Sequence, residues 1–184
     1  MTEAFLRHAD LGCTQAYMGS LLSWLINADE TDGSFSVLIA HARRGSEPPA
    51  HVHQREDEVF YVLEGQIAIA VEGIDTLLEA GAGDCVFLPR GKAHGLRIRS
   101  AEMRALSLLC AVDGERVSAE DYLKSMAIGP AKSMRLPDDL DRYATLDDDA
   151  LAAAARLAGE RGLIFLSPEE VAVRLPLLAE ERGP

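Results

Sequence analysis

A chain of 184 residues with 48% hydrophobic and 26% charged side chains is long enough to bury a core and has the balance of an ordinary globular protein. Its net charge of -12 argues against nucleic acid, whose phosphates need a positive field; the densest basic stretch, 97–104, holds three arginines beside Glu102. No apolar run reaches the roughly 20 residues of a membrane helix, residues 1–10 lack a signal-peptide core, and Cys13, Cys85 and Cys110 are too scattered for disulfides, so a cytoplasmic protein with reduced thiols is expected.

Up to residue 112 the chain is a series of short runs rich in Val, Ile, Leu and Phe, separated by Gly, Pro and Asp. Strands are predicted at 17–27, 34–42, 58–63, 66–71, 76–79, 84–88, 94–99 and 104–112. That rhythm predicts an all-β sandwich or barrel rather than βαβ units. Glu64-Gly65 and Glu72-Gly73 provide tight connections, and Ile67, Ile69 and Val71 alternate with Gln66, Ala68 and Ala70, as one buried face requires. Beyond this body (1–112) the character changes to a helical extension (113–184). Ser118 reads as an N-cap of a helix ending near Gly129-Pro130, and 130–144 as a linker. Thr145 reads as the cap of a strong helix over 147–160, ended by Gly162. Ser167-Pro168-Glu169-Glu170 is a capping box for a last short helix. These helices could pack on the barrel or serve an oligomer interface.

The informative stretch is His51-Val52-His53, followed after the turn 54–57 by Glu58. Residues two apart on an extended chain share a face, so the two imidazoles project together, and a reversal at the turn returns the carboxylate towards them. Two neutral imidazoles and a carboxylate suit a first-row divalent ion and leave coordination positions open. A second stretch, from Gly83 through Pro89 and Gly91 to His94, makes a turn that starts a new strand with a third imidazole. His41, at a strand end, could orient a ligand, although a purely structural role is favoured. His8 reads as solvated and Cys85 as a small buried hydrophobe. Phe60 shares the face of Glu58, and Leu96 and Ile98 share that of His94, so these three are expected on a substrate pocket wall.

Gly45, His51, His53, Glu58 and Gly65 match the first motif of the cupin superfamily in type and spacing, and Gly83, Pro89, Gly91 and His94 match the second. These motifs lie at 45–65 and 83–98; beyond them the layout, with Tyr17 before a first strand, Gly45–Pro49 before the His pair, the phrase Glu58–Gly65 and a helical tail with Gly162–Pro168, is similar to that of single-domain cupins related to quercetin 2,3-dioxygenase. One position departs: Ile98 stands where an Asn is common. The resemblance implies a cupin jelly-roll β-barrel holding one divalent transition metal (iron, nickel, manganese, cobalt, copper or zinc) through His51, His53, Glu58 and His94. It also implies a homodimer, and a dioxygenase acting on a flavonol-like or other enolisable small molecule, with Glu58 as catalytic base if its pKa is tuned upward. Two further classes use the same shell: a non-oxidative isomerase, cyclase or decarboxylase, and a small-molecule-binding cupin without turnover.

Overall fold

The computed structural model describes residues 3–136 and 145–180. In chain order the strands are β1 (Thr14–Tyr17), β2 (Ser20–Ile26), β3 (Phe35–Arg43), β4 (His51–His53), β5 (Glu56–Glu64), β6 (Gln66–Val71), β7 (Leu78–Gly81), β8 (Cys85–Leu88), β9 (His94–Ile98), β10 (Glu102–Ala111), β11 (Gly129–Pro130) and β12 (Leu163–Phe165). The helices are α1 (Ala119–Met126), α2 (Asp148–Glu160), α3 (Pro168–Arg174) and α4 (Pro176–Glu180). The strands form two antiparallel sheets of jelly-roll type, ordered β11-β1-β2-β3-β10-β5-β8 and β12-β4-β9-β6-β7. Two strands from beyond residue 112 thus join the barrel: β11 pairs with β1, and β12 pairs with β4.

Between the sheets, Val62, Ile67, Ile69, Leu88, Ile98 and Ala105 pack one end of the barrel solid. A second cluster joins Tyr17, Trp24 and Leu38 to Tyr122 of α1 and Ala158 of α2. The third lies behind the smaller sheet, where Val171 of α3, Leu178 of α4 and Leu175 between them cover Ala50, Val52, Ala70 and Ala93. Strand β6 is therefore buried on both faces. Its alternation of large and small residues has a physical reason: Ile67 and Ile69 fill the barrel, whereas Ala68 and Ala70 face outwards and are small enough to admit helices.

Several expectations need correction. Residues 17–27 are not one strand, because Met18 and Gly19 both take positive φ (43° and 79°) and turn β1 back along β2. The cap of α2 is Asp147, whose side chain accepts from the Ala150 N–H, and not Thr145. The Ser167 capping box forms as expected, but Pro176 divides the final segment into α3 and α4. Cys85 is exposed, since Val86 and Leu88 take the inward positions of β8 and leave Cys85 and Phe87 facing out. Of the linker expected at 130–144, Pro130 instead pairs with Gln15, and positions 137–144 lie outside the described residues.

Candidate metal centre

The three histidines come from the smaller sheet and the glutamate from the larger one. On β4, His51 and His53 point into the barrel while Val52 packs under the helices. His94, first residue of β9, is the cross-strand partner of His51. Glu58 pairs in register with Leu109 and Leu88 and projects from the opposite wall. All four are buried, and one donor atom from each lies within 4.8 Å of the others. The reversal expected at 54–57 is tighter than that, because β5 already begins at Glu56.

Each ring turns Nε2 into the cluster and Nδ1 away from it. His51 Nδ1 lies 2.8 Å from the Pro49 carbonyl and His94 Nδ1 lies 3.3 Å from the Lys92 carbonyl. A carbonyl only accepts, so each ring directs an N–H at Nδ1 to it, and each ring in its neutral form presents the lone pair of Nε2 to the cluster. Those two Nε2 atoms are 3.2 Å apart. The Nε2 atoms of His53 and His94 stand 3.5 and 3.6 Å from Glu58 Oε2. Adjacent donors around an ion with bonds of about 2.1 Å are separated by roughly 3.0–3.4 Å. Facing lone pairs at this spacing are repulsive alone and attractive around a cation, so the residues fit a divalent transition metal.

Electrostatics divide the rings. Burial first, then the neighbouring His94 and His53 rings, push the His51 imidazole well below its ordinary range, which keeps it neutral. Burial also pushes His53 down, but Glu56 and Glu58 together outweigh it and hold that ring at about 9. For Glu58, burial alone would push the carboxyl up; His53 and His94 prevail and hold it well below the carboxylate range. The upward tuning expected of a base is therefore not found. Ser107 Oγ donates to Glu58 Oε1 at 3.0 Å, which leaves Oε2 to face the imidazoles.

The cluster sits in a cavity of about 120 Å³, and Phe60, Leu96 and Ile98 all lie on its wall. Among the described residues no lysine or arginine lines it. Sequence reasoning missed two aromatic neighbours supplied by the helical extension. Phe165 of β12 sits edge-to-face with His51 at 6.2 Å, and Tyr122 of α1 packs on Phe165 at 5.7 Å. It also missed Glu56, a fully buried carboxylate beside His53. His41 lies outside the site, on the outer face of β3, where its Nε2 is 3.0 Å from Glu102. His8 is exposed, as expected.

Residues 39–117 match the family described as Cupin domain. Over 79 residues, 43% of the chain, the sequence is 29% identical to quercetin 2,3-dioxygenase of Bacillus subtilis (strain 168), and the match spans 23% of that protein's length. Among solved structures, KdgF from a Halomonas species superposes with a TM-score of 0.50 at 19% identity, covering 61% of this chain and 97% of that one. A predicted oxalate decarboxylase from Thermotoga maritima superposes with a TM-score of 0.53 at 16% identity, covering 59% and 100%. At these identities the two structures show the shared fold alone.

Proposed function

For this chain, which carries a cupin domain over residues 39–117, we propose a metal-dependent dioxygenase acting on a small, largely apolar substrate with an enolisable or enediol oxygen pair. The observation that carries the proposal is the convergence of three imidazole Nε2 atoms and one carboxylate in an apolar cavity that, among the described residues, has no lysine or arginine on its wall. His51, His53, Glu58 and His94 would hold one divalent ion, and that ion would supply charge to stabilise a deprotonated substrate oxygen and a route for reaction with dioxygen.

The chain's own residues do the rest. Glu58 enters as a carboxylate, with Oε1 held by Ser107 and Oε2 turned to the imidazoles, and would take the substrate hydroxyl proton on the oxygen that it releases from the ion. Phe60, Leu96 and Ile98 offer apolar walls to the body of the substrate and keep water from the reacting end. Among the described residues, a substrate with a second anionic group finds no lysine or arginine on this wall. The similarity to quercetin 2,3-dioxygenase supports a flavonol-like ring system over a polar acid.

The test is oxygen uptake by chain loaded in turn with iron, nickel, manganese, cobalt, copper and zinc, across a panel of flavonols and enediols. Uptake stoichiometric with ring or enediol loss is expected with at least one metal. Turnover that continues under argon would replace the proposal with a non-oxidative isomerase, cyclase or decarboxylase. Saturable binding without product would replace it with a ligand-binding role.

A further inference from the structure

Glu56 has no place in the proposed reaction, yet it is the most completely buried acid near the cluster. Its Oε1 accepts the backbone N–H groups of Ser118 at 2.5 Å and Ala119 at 3.1 Å. Those are the N-cap and first residue of α1, and Ser118 makes no side-chain cap of its own. The Ser118 hydroxyl is turned instead towards Glu56 Oε1 at 3.0 Å and the Arg161 carbonyl at 2.6 Å. That leaves Oε2, a buried oxygen with no hydrogen-bond partner, 3.5 Å from His53 Nδ1, which is itself buried and unpartnered. Two orphaned atoms of opposite character thus face each other just beyond hydrogen-bond range.

We propose that Glu56 is a positioning residue that fixes the ring orientation and tautomer of His53 for metal binding, with α1 as the anchor that holds Glu56 in place. The inference rests on the metal-binding reading above. For His51 and His94 the outward Nδ1 faces a backbone carbonyl; for His53 that acceptor is a side chain from the adjacent strand. An acceptor at Nδ1 keeps the proton there and leaves Nε2 bare for the ion. Only a carboxylate can serve, because the group must accept on both sides: from two backbone N–H donors on one and from an imidazole N–H on the other. The buried Glu56 carboxylate in this way connects α1 to the cluster, beside the pairing of β12 with β4.

Glu56→Gln tests this, since glutamine has the same shape and one acceptor too few. With its oxygen towards Ser118 and Ala119 it presents an NH2 to Nδ1, which forces the ring proton onto Nε2. The competing orientation sets an NH2 against two N–H groups. Zinc affinity of the full chain, measured by competition with a chromophoric chelator, is expected to fall about 10- to 100-fold. A residue that only packs would leave the affinity of this isosteric variant unchanged, and equal affinity in variant and wild type overturns the proposal. A wild type that takes up no zinc overturns the metal-binding reading and this inference together, so the two failures are told apart. Should the variant not fold, long-range proton–nitrogen correlation of the zinc-loaded wild type decides. A protonated Nδ1 and a zinc-shifted Nε2 on His53 support the proposal, and a zinc-bound or unprotonated Nδ1 overturns it.

Discussion

The three imidazoles of the cluster have the same covalent chemistry and different neighbours, and the neighbours assign their behaviour. His51 is kept neutral by burial first and by the crowding of His94 and His53, whereas His53, equally buried, stands between two carboxylates that favour its charged form. An incoming ion therefore meets one ready lone pair at His51 and replaces a proton at His53. The glycines of the motif act through space rather than charge. Gly65 has φ +84°, and a Cβ built on it would lie 2.4 Å from the Glu102 carbonyl and 2.6 Å from Ser100 Oγ. Gly65→Ala must both adopt a strained backbone and push the start of β10 aside. It is expected to lower the unfolding free energy by more than about 2 kcal/mol, read from the urea midpoint; a change under about 0.5 kcal/mol would contradict the steric account.

At the scale of elements, the features that sequence reasoning reached are those with a local signal. His51 and His53 share a face by period-two spacing, one short turn brings Glu58 to them, and the separate turn at Pro89 and Gly91 marks His94 at the start of its strand. The Ser167 capping box likewise needs only its own four residues. Strand β12 is three residues long and lies between two helices, so nothing in Leu163–Phe165 marks it as the partner of β4. Glu56 gives no local signal either, because its partners Ser118 and Ala119 lie far along the chain. The covering helices also depend on long-range contacts that can be broken singly. Leu178 of α4 is buried, and its Cδ2 would lie 2.5 Å from a Cβ built on Gly95, next to His94. Leu178→Ala is expected to cost about 2–5 kcal/mol by denaturant unfolding. A loss below about 1 kcal/mol would mean that α4 does not depend on this packing.

Arg174 of α3 grips Glu72, in the turn after β6, through two hydrogen bonds of 2.9 and 2.8 Å, and Glu72 also accepts the Ala93 N–H at 3.2 Å. Arg174 first, then the Ala93 N–H, hold the Glu72 carboxyl at about 2, below its ordinary value of 4.5. Because the folded value is the lower one, the stabilisation is fully present above pH 4.5 and disappears as pH falls through about 2. Glu72→Gln should therefore cost about 1 kcal/mol at neutral pH, a part-exposed pair being partly screened. The gap between variant and wild type should close under acid. A gap independent of pH would show that the pair is not its source.

At the scale of the whole molecule, two sheets contribute opposite halves of one site, so the cluster exists only when the barrel is closed. The barrel itself was readable from strand rhythm and motif spacing. The placement of the extension was not, since amphipathic helices carry no record of which sheet face they cover. Closure also links metal and stability: an ion that binds the folded chain and not the unfolded one stabilises by about 2.7 kcal/mol when its free concentration is 100 times Kd. Metal-loaded chain should therefore melt higher than chelator-treated chain, with a shift that grows with free metal; a melting point indifferent to metal would contradict this coupling.

The most direct test of the central claim is metal analysis of the purified chain beside Glu58→Ala and His94→Ala. The account predicts about one divalent transition metal ion per wild-type chain, carried or taken up on reconstitution, and lost or weakened in both variants. A wild type that neither carries nor takes up such an ion, or variants that hold it as tightly, would contradict it.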